Sequence, residues 1–231
     1  MKKKLLAFLL GVLCLLSVVG CAKTPDEPQV TESNDYLTTI SGTYVELFPV
    51  LSKAEYRDAW IDAVTPIVGE KDAEATTDML LGMCMAEPYG PEAAAKYSEN
   101  PDEMAFNCSF LGGVEKFVFD GHTIKGLDDK GNEVFSHSYK LLNIENENGF
   151  IFYQSEDENS SQFTYFAFSP DTMDSTYHLE FRYAEKQEDL QSWFEGDYAY
   201  WNAAAIEDGC DGETVKNAIK LFATENLSEA E

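Results

Sequence analysis

The chain has 231 residues, a formal charge of −26 and a pI near 4.2. That much negative charge argues against nucleic acid and anionic lipid surfaces as partners; it serves solubility and draws cations to the whole surface. Apolar residues make up 44 %, with 15 Phe and 12 Tyr, enough for a sizeable core and a composition that leans toward strands.

Lys2, Lys3 and Lys4 precede an apolar run from Leu5 to Val19, broken only by Gly11 and Ser17. The run is short for a membrane span and the right size for the h-region of a signal peptide. It ends in Val18-Val19-Gly20-Cys21, which resembles a bacterial lipobox. The resemblance implies cleavage before Cys21 after its thiol has received a diacylglycerol (palmitate-type chains), and two acyl chains anchor stably. Residues 1–20 are therefore expected to be a lipoprotein signal peptide. Loss of its three lysines takes the charge from −26 to −29. The expected location is outside the cytoplasm, lipid-anchored to the cell or outer membrane. Residues 21–35 are polar and read as a flexible tether, 36–227 as one domain, and 228–231 as a polar tail.

Residues 36–97 read as helical. Tyr44, Leu47, Phe48 and Leu51 recur at helical spacing, with Pro49 bending or ending that turn. Ser52 and Glu55 form a capping-box pattern for a helix carrying Tyr56, Ala59, Trp60, Ala63 and Val64 and stopping near Pro66. A third helix is expected over 72–85, and Pro88, Gly90 and Pro91 break the chain.

From Met104 the period changes from 3.6 to 2. Short aromatic or β-branched runs cover 106–110, 114–119, 132–142, 149–154, 162–168 and 177–183, separated by turn-rich segments. Six or so consecutive strands with tight connections predict an antiparallel meander, either a sandwich or an up-and-down barrel. After Ala184 the chain is expected to return to helix. Asp211 can cap a last one, with Val215, Ala218, Ile219 and Phe222 on one face.

The segment 175–183 carries the most chemistry. Tyr177, Leu179, Phe181 and Tyr183 alternate with His178, Glu180 and Arg182, so the two sets occupy opposite faces of a strand. His178 and Glu180 can point at one ion, and Asp171 just upstream offers a second carboxylate. One imidazole and two carboxylates suit Zn²⁺ or a harder divalent ion; residues of this kind on a strand face are also common without function. His137, between Phe135 and Tyr139, is a candidate additional metal ligand or a half-buried packing residue. His122 reads as a turn residue, and Asp128 to Asn132 as a hairpin turn rather than a calcium loop. Beyond Cys14 in the signal and Cys21, the cysteines are Cys84, Cys108 and Cys210, in no zinc-ribbon spacing. One disulfide and a spare thiol are allowed, in any pairing. No nucleophile elbow, phosphate loop or zinc-protease helix is present, so the chain is not expected to be an enzyme.

Four segments together resemble the ZinT/YodA family, exported zinc-binding proteins with a lipocalin-like (calycin) barrel. They are Gly42-Thr43-Tyr44-Val45 leading into Leu47-Phe48-Pro49-Val50-Leu51; Gly149 to Tyr153 followed by Tyr165 to Ser169; Phe168-Ser169-Pro170-Asp171 followed by Ser175 to Glu180; and Trp193 with Tyr198, Tyr200 and Trp201. The resemblance spans residues 39–227. It implies a calycin-type antiparallel β-barrel with helices before and after it, α+β overall and mainly β. It also implies a zinc site at the open end of the barrel and a role in metal capture, buffering or delivery to an ABC uptake transporter. By position, His178 matches a family histidine in kind, while Glu180 and Asp171 stand where two others would be. The family's His-rich N-terminal segment has no counterpart. The alternative reading keeps the barrel without the metal site, with Phe and Tyr lining a mouth for a small organic ligand or a protein partner.

Overall fold

The computed structural model describes residues 35–84, 108–145, 149–169, 177–190 and 203–227. Eight strands close into an antiparallel barrel in simple chain order. They are β1 (Ser41–Glu46), β2 (Lys116–Asp120), β3 (Thr123–Leu127), β4 (Glu133–Glu145), β5 (Ile151–Ser155), β6 (Tyr165–Phe168), β7 (Leu179–Ala184) and β8 (Ala203–Glu207). Between β1 and β2 the described helices are α1 (Leu47–Leu51), α2 (Arg57–Val68) and α3 (Glu70–Cys84); α4 (Gln187–Leu190) follows β7, and α5 (Gly212–Leu227) follows β8. The expected up-and-down barrel with flanking helices is present, α1 to α3 being inserted after β1 rather than placed ahead of the barrel, and α5 following β8.

The first expected helix is corrected. Tyr44 lies in β1, whereas Leu47, Phe48 and Leu51 lie in α1, so the helical spacing ran across a strand–helix junction. Closure decides the matter: β1 pairs with β2 on one side and β8 on the other and so joins the two ends of the sheet. The capping box at Ser52 does not form either. Ser52 ends α1, its amide donating to Phe48 O at 2.9 Å, and a 3-10 turn at Ala54–Tyr56 precedes α2. Helix α2 runs two residues past Pro66 and stops at Gly69, whose φ of +86° is open to glycine.

Two further strands were not anticipated, β3 and β8, and the second corrects the expected return to helix after Ala184. Ala203 to Glu207 is alanine-rich, a composition that favours helix on propensity alone. Here Ala203 and Ala205 face the aromatic interior, paired with Phe181 and Leu179 of β7, and Ala204 and Ile206 face the helices. The strand expected at 106–110 is absent over its described part. Residues 108–110 lie outside any strand, with Cys108 O accepting from Ala204 N at 3.1 Å and Phe110 entering the barrel core.

Eight strands leave an interior that side chains can just fill. Phe117, Phe119, Phe166, Phe168 and Phe181 fill it, all essentially inaccessible, with ring centroids of neighbours 5.0 to 6.3 Å apart. One end is closed by the 3-10 turn Tyr36–Thr38. Tyr36 meets the Phe168 ring at 5.4 Å, and Leu37 N donates to Tyr153 Oη, which in turn donates to Asp35 Oδ1. The other end is closed by Phe110, Leu111, Val114 and Phe163. Tyr183 Oη accepts from Leu111 N and donates to Leu111 O, and Tyr139 Oη donates to Phe163 O. A second core lies outside the barrel, where α1, α2, α3 and α5 pack around Trp60, Leu80 and Ile219 against Ala204 and Ile206. Asp211 caps α5 as expected, its Oδ1 accepting from Thr214 N at 2.8 Å.

Candidate functional site

Strand β7 starts at Leu179, four residues later than the segment expected, and His178 immediately precedes it. Leu179, Phe181 and Tyr183 point into the barrel core, as their alternation requires. Tyr177 departs from that face and packs with the helical cluster outside. Glu180 is fixed by its neighbours on both sides: it pairs with Ala204 of β8, and its carbonyl accepts from Ser169 N just beyond β6.

The opposite face holds His178, Glu180 and Arg182, and it is far from bare. Arg182 is fully buried, with one guanidinium nitrogen donating to Ser109 O at 3.0 Å, so the 108–110 segment covers this face of the strand. Glu46 joins the same neighbourhood from the end of β1. Its Oε1 accepts from Phe110 N, and burial raises its pKa above the ordinary carboxylate range, with the nearby Arg182 charge opposing.

His178 Nε2 and Glu180 Oε1 stand 3.3 Å apart, with side chains 11 % and 29 % exposed. Two ligands each about 2.1 Å from a tetrahedral zinc ion stand roughly 3.4 Å apart, so the pair fits adjacent corners of such a site. An imidazole and a carboxylate are both ligands of zinc and of neighbouring divalent metals. Among the described residues no group of three His, Cys, Asp or Glu side chains converges to hold an ion. Asp171 lies outside the described residues, as do Cys21, the Ser175-Thr176 start of its motif, and the Trp193, Tyr198, Tyr200, Trp201 cluster.

His137 sits elsewhere. It faces the same side of β4 as Phe135 and Tyr139, stacks on Phe135 at 5.5 Å, and its Nδ1 meets Asp157 Oδ2 at 2.8 Å. Strands β5 and β6 separate β4 from β7. His122 occupies the β2–β3 turn, as expected, and its Nε2 meets Asp35 Oδ2 at 2.6 Å. Each of the three histidines thus has a carboxylate beside it, a feature that sequence spacing exposes only for His178. Asp128 accepts from Asn132 Nδ2, Asn132 N and Lys130 N within its own hairpin, which holds its pKa below the usual carboxylate range.

A cleft of about 480 Å³ opens outside the barrel, lined by Val45, Pro49, Lys53, Tyr56, Lys116 and Cys210 among others. Lys116 is engaged there by Asp208 at 2.6 Å. No helix among the described residues is long and apolar enough to cross a membrane.

No protein-family model matches the sequence, and no curated protein matches it. Solved structures similar to it include the Zn(II)-bound ZinT-like domain of AdcA from Streptococcus pneumoniae, at 14 % identity and a TM-score of 0.49, over 80 % of this chain and 89 % of that one. Another is Zn(II)-bound AdcA from the same organism, at 13 % identity and a TM-score of 0.47, over 81 % of this chain. The match covers 35 % of the AdcA chain, about a third of its length.

Proposed function

We propose that this chain is an extracytoplasmic lipoprotein, anchored through Cys21, that captures Zn²⁺ or a similar divalent cation and buffers it or passes it to an uptake transporter. Asp171, His178 and Glu180 are its protein ligands, with water completing the shell. The observation that carries the reading is the approach of His178 Nε2 to Glu180 Oε1 at 3.3 Å at the start of β7. The order of motifs resembling the ZinT/YodA family and the strongly negative charge point the same way. We leave His137 outside the ligand set, because Asp157 engages it and β5 and β6 lie between its strand and β7. An organic ligand inside the barrel gains no support, since the aromatic side chains that would line its pocket fill the interior instead.

Calorimetric titration of residues 22–231 with Zn²⁺, with Mn²⁺ and Ca²⁺ as competitors, tests the proposal. One-to-one binding at micromolar affinity or better is expected, and the triple variant D171A/H178A/E180A should lose it while keeping the far-UV circular dichroism of the barrel. Undiminished zinc affinity in that variant would sink the ligand assignment. Absence of saturable binding by the unsubstituted domain would sink the function. The anchor is tested separately: C21S should move the exported protein from the membrane to the soluble fraction.

A further inference from the structure

The cleft outside the barrel has no part in the proposed metal site, and its lining has a definite chemistry. Its volume of about 480 Å³ suits a small organic molecule. Val45 of β1, Val50 of α1, Tyr56 and Val215 of α5 give it apolar walls. Acidic residues of the lining outnumber its lysines five to two. The acids come from separate parts of the chain. Glu46 ends β1, Glu115 precedes β2, Asp129 sits in the β3–β4 turn, and Glu207 ends β8 with Asp208 after it.

An ammonium group is already held in this setting. Lys116 of β2 and Asp208 lie on opposite sides of β1, with Lys116 paired to Val45 and Asp208 N bonded to Thr43 O. Lys116 Nζ nevertheless reaches Asp208 Oδ2 at 2.6 Å. The lysine side chain therefore crosses the outer face of β1 to bring its charge to the carboxylate. Glu115, Asp129 and Glu207 are exposed and form no salt bridge among the described residues. The carboxylates do not converge on a point: among the described residues no group of three His, Cys, Asp or Glu could hold one metal ion.

Acidic groups spread around apolar walls match a ligand whose positive charges are spread along an aliphatic chain. We propose that the cleft binds an aliphatic polyamine, with its methylenes against Val45, Val50 and Val215 and its ammonium groups at Glu115, Asp129, Glu207 and Asp208. The excess of carboxylates over lysines disfavours an anion there. At Asp208 a ligand ammonium competes with Lys116. The proposal is independent of the metal ligands and of the lipid anchor.

A net charge of −26 draws polycations to the whole surface, so the test separates the cleft from the rest. Spermidine is titrated into the full chain by calorimetry at about 0.15 M salt, where exposed charges more than about 8 Å apart are largely screened. Saturable one-to-one binding is expected. D129N/E207Q should weaken it by about fivefold, the worth of two exposed charge pairs. D62N/E74Q removes the same charge from exposed positions on α2 and α3 and should change it by less than about twofold. K116M should tighten binding, since it frees Asp208, and butylamine, with one ammonium group, should bind more weakly than spermidine. No saturable binding, or equal weakening in the two double variants, would overturn the proposal. So would K116M leaving the affinity unchanged, or butylamine matching spermidine. A pentalysine peptide that binds more tightly than spermidine would overturn it in favour of a protein partner. Zinc titration of D129N/E207Q keeps the two readings apart, since the metal site should survive that substitution.

Discussion

Replacing Gly126 with alanine probes how tightly the barrel is filled. Gly126 sits on β3 opposite Phe135 of β4, next to a register shift. A Cβ there would lie 2.4 Å from Phe135 Cε1, 2.7 Å from its Cδ1 and 2.8 Å from Val114 Cγ2. Phe135 has little freedom to retreat, because its ring stacks on Phe163 with centroids 3.9 Å apart and meets Phe117 at 6.0 Å. Val114 is itself buried among the same rings. Overpacking of this kind costs about 1–3 kcal/mol, and three contacts below van der Waals distance put this site in the upper half. Removing a glycine returns about 0.4–1 kcal/mol through the unfolded state. The net loss is about 1–2 kcal/mol, which for a domain of this size lowers Tm by roughly 2–8 °C. Guanidinium unfolding followed by circular dichroism should show a lower midpoint at unchanged m. The double variant G126A/F135L should recover part of the loss, since the smaller side chain vacates the colliding edge. A G126A variant within about 1 °C of the parent, or one that F135L fails to rescue, would refute a barrel packed this closely.

Two further substitutions address the buried polar groups. Y153F removes the acceptor of Leu37 N and one donor to Asp35, both at the closed end of the barrel. It should destabilise by about 1–3 kcal/mol and speed hydrogen exchange at the Leu37 amide; an unchanged exchange rate would show that the 3-10 turn holds without this bond. E46Q tests the raised carboxyl pKa at the covered face of β7. A group whose pKa is raised on folding contributes stability below its ordinary range and loses that contribution as pH rises through the folded value. The Tm of the parent minus that of E46Q should therefore become more negative as pH is raised from about 4 to neutrality, and a difference that stays constant would contradict the burial of that charge.

The meander was legible because period-2 alternation is a local property: Phe117 and Phe119, or Phe166 and Phe168, announce a buried face without reference to the rest of the chain. Helix α5 was legible for the same reason, with Asp211 in front of Val215, Ala218 and Ile219. The misread strands are those whose identity depends on partners far along the chain. Tyr44 and Leu47 look like one helix face until β8 arrives to pair with β1, more than 150 residues later in the chain. Ala203 and Ala205 favour helix by propensity, and it is pairing with Phe181 and Leu179 of β7 that makes a strand of them. The His178–Glu180 pair was readable from spacing alone, because residues two apart on a strand edge share a face. The carboxylates beside His122 and His137 were not, since Asp35 and Asp157 reach them through tertiary contacts. Nor could spacing show that Arg182, on the face shared with the candidate ligands, would be buried under Ser109.

The same aromatic residues bear on where function can reside. From composition, 27 Phe and Tyr side chains suit either a ligand-lined mouth or a packed core. The structure assigns many of them to the core, and both ends of the barrel are closed by hydrogen-bonded turns whose donors and acceptors are tyrosine hydroxyls of the barrel itself. Opening either end to admit a ligand would break these bonds and expose apolar rings at about 25 cal/mol for each Å². The proposed ligands His178 and Glu180 lie outside this packed interior. There the closed sheet fixes Glu180 through pairing on both sides, while His178 immediately precedes the first residue of β7. Under the metal-capture proposal, a site built half on a strand and half on its approach would hold one ligand in place and let the other adjust, as suits an ion that is captured and later released.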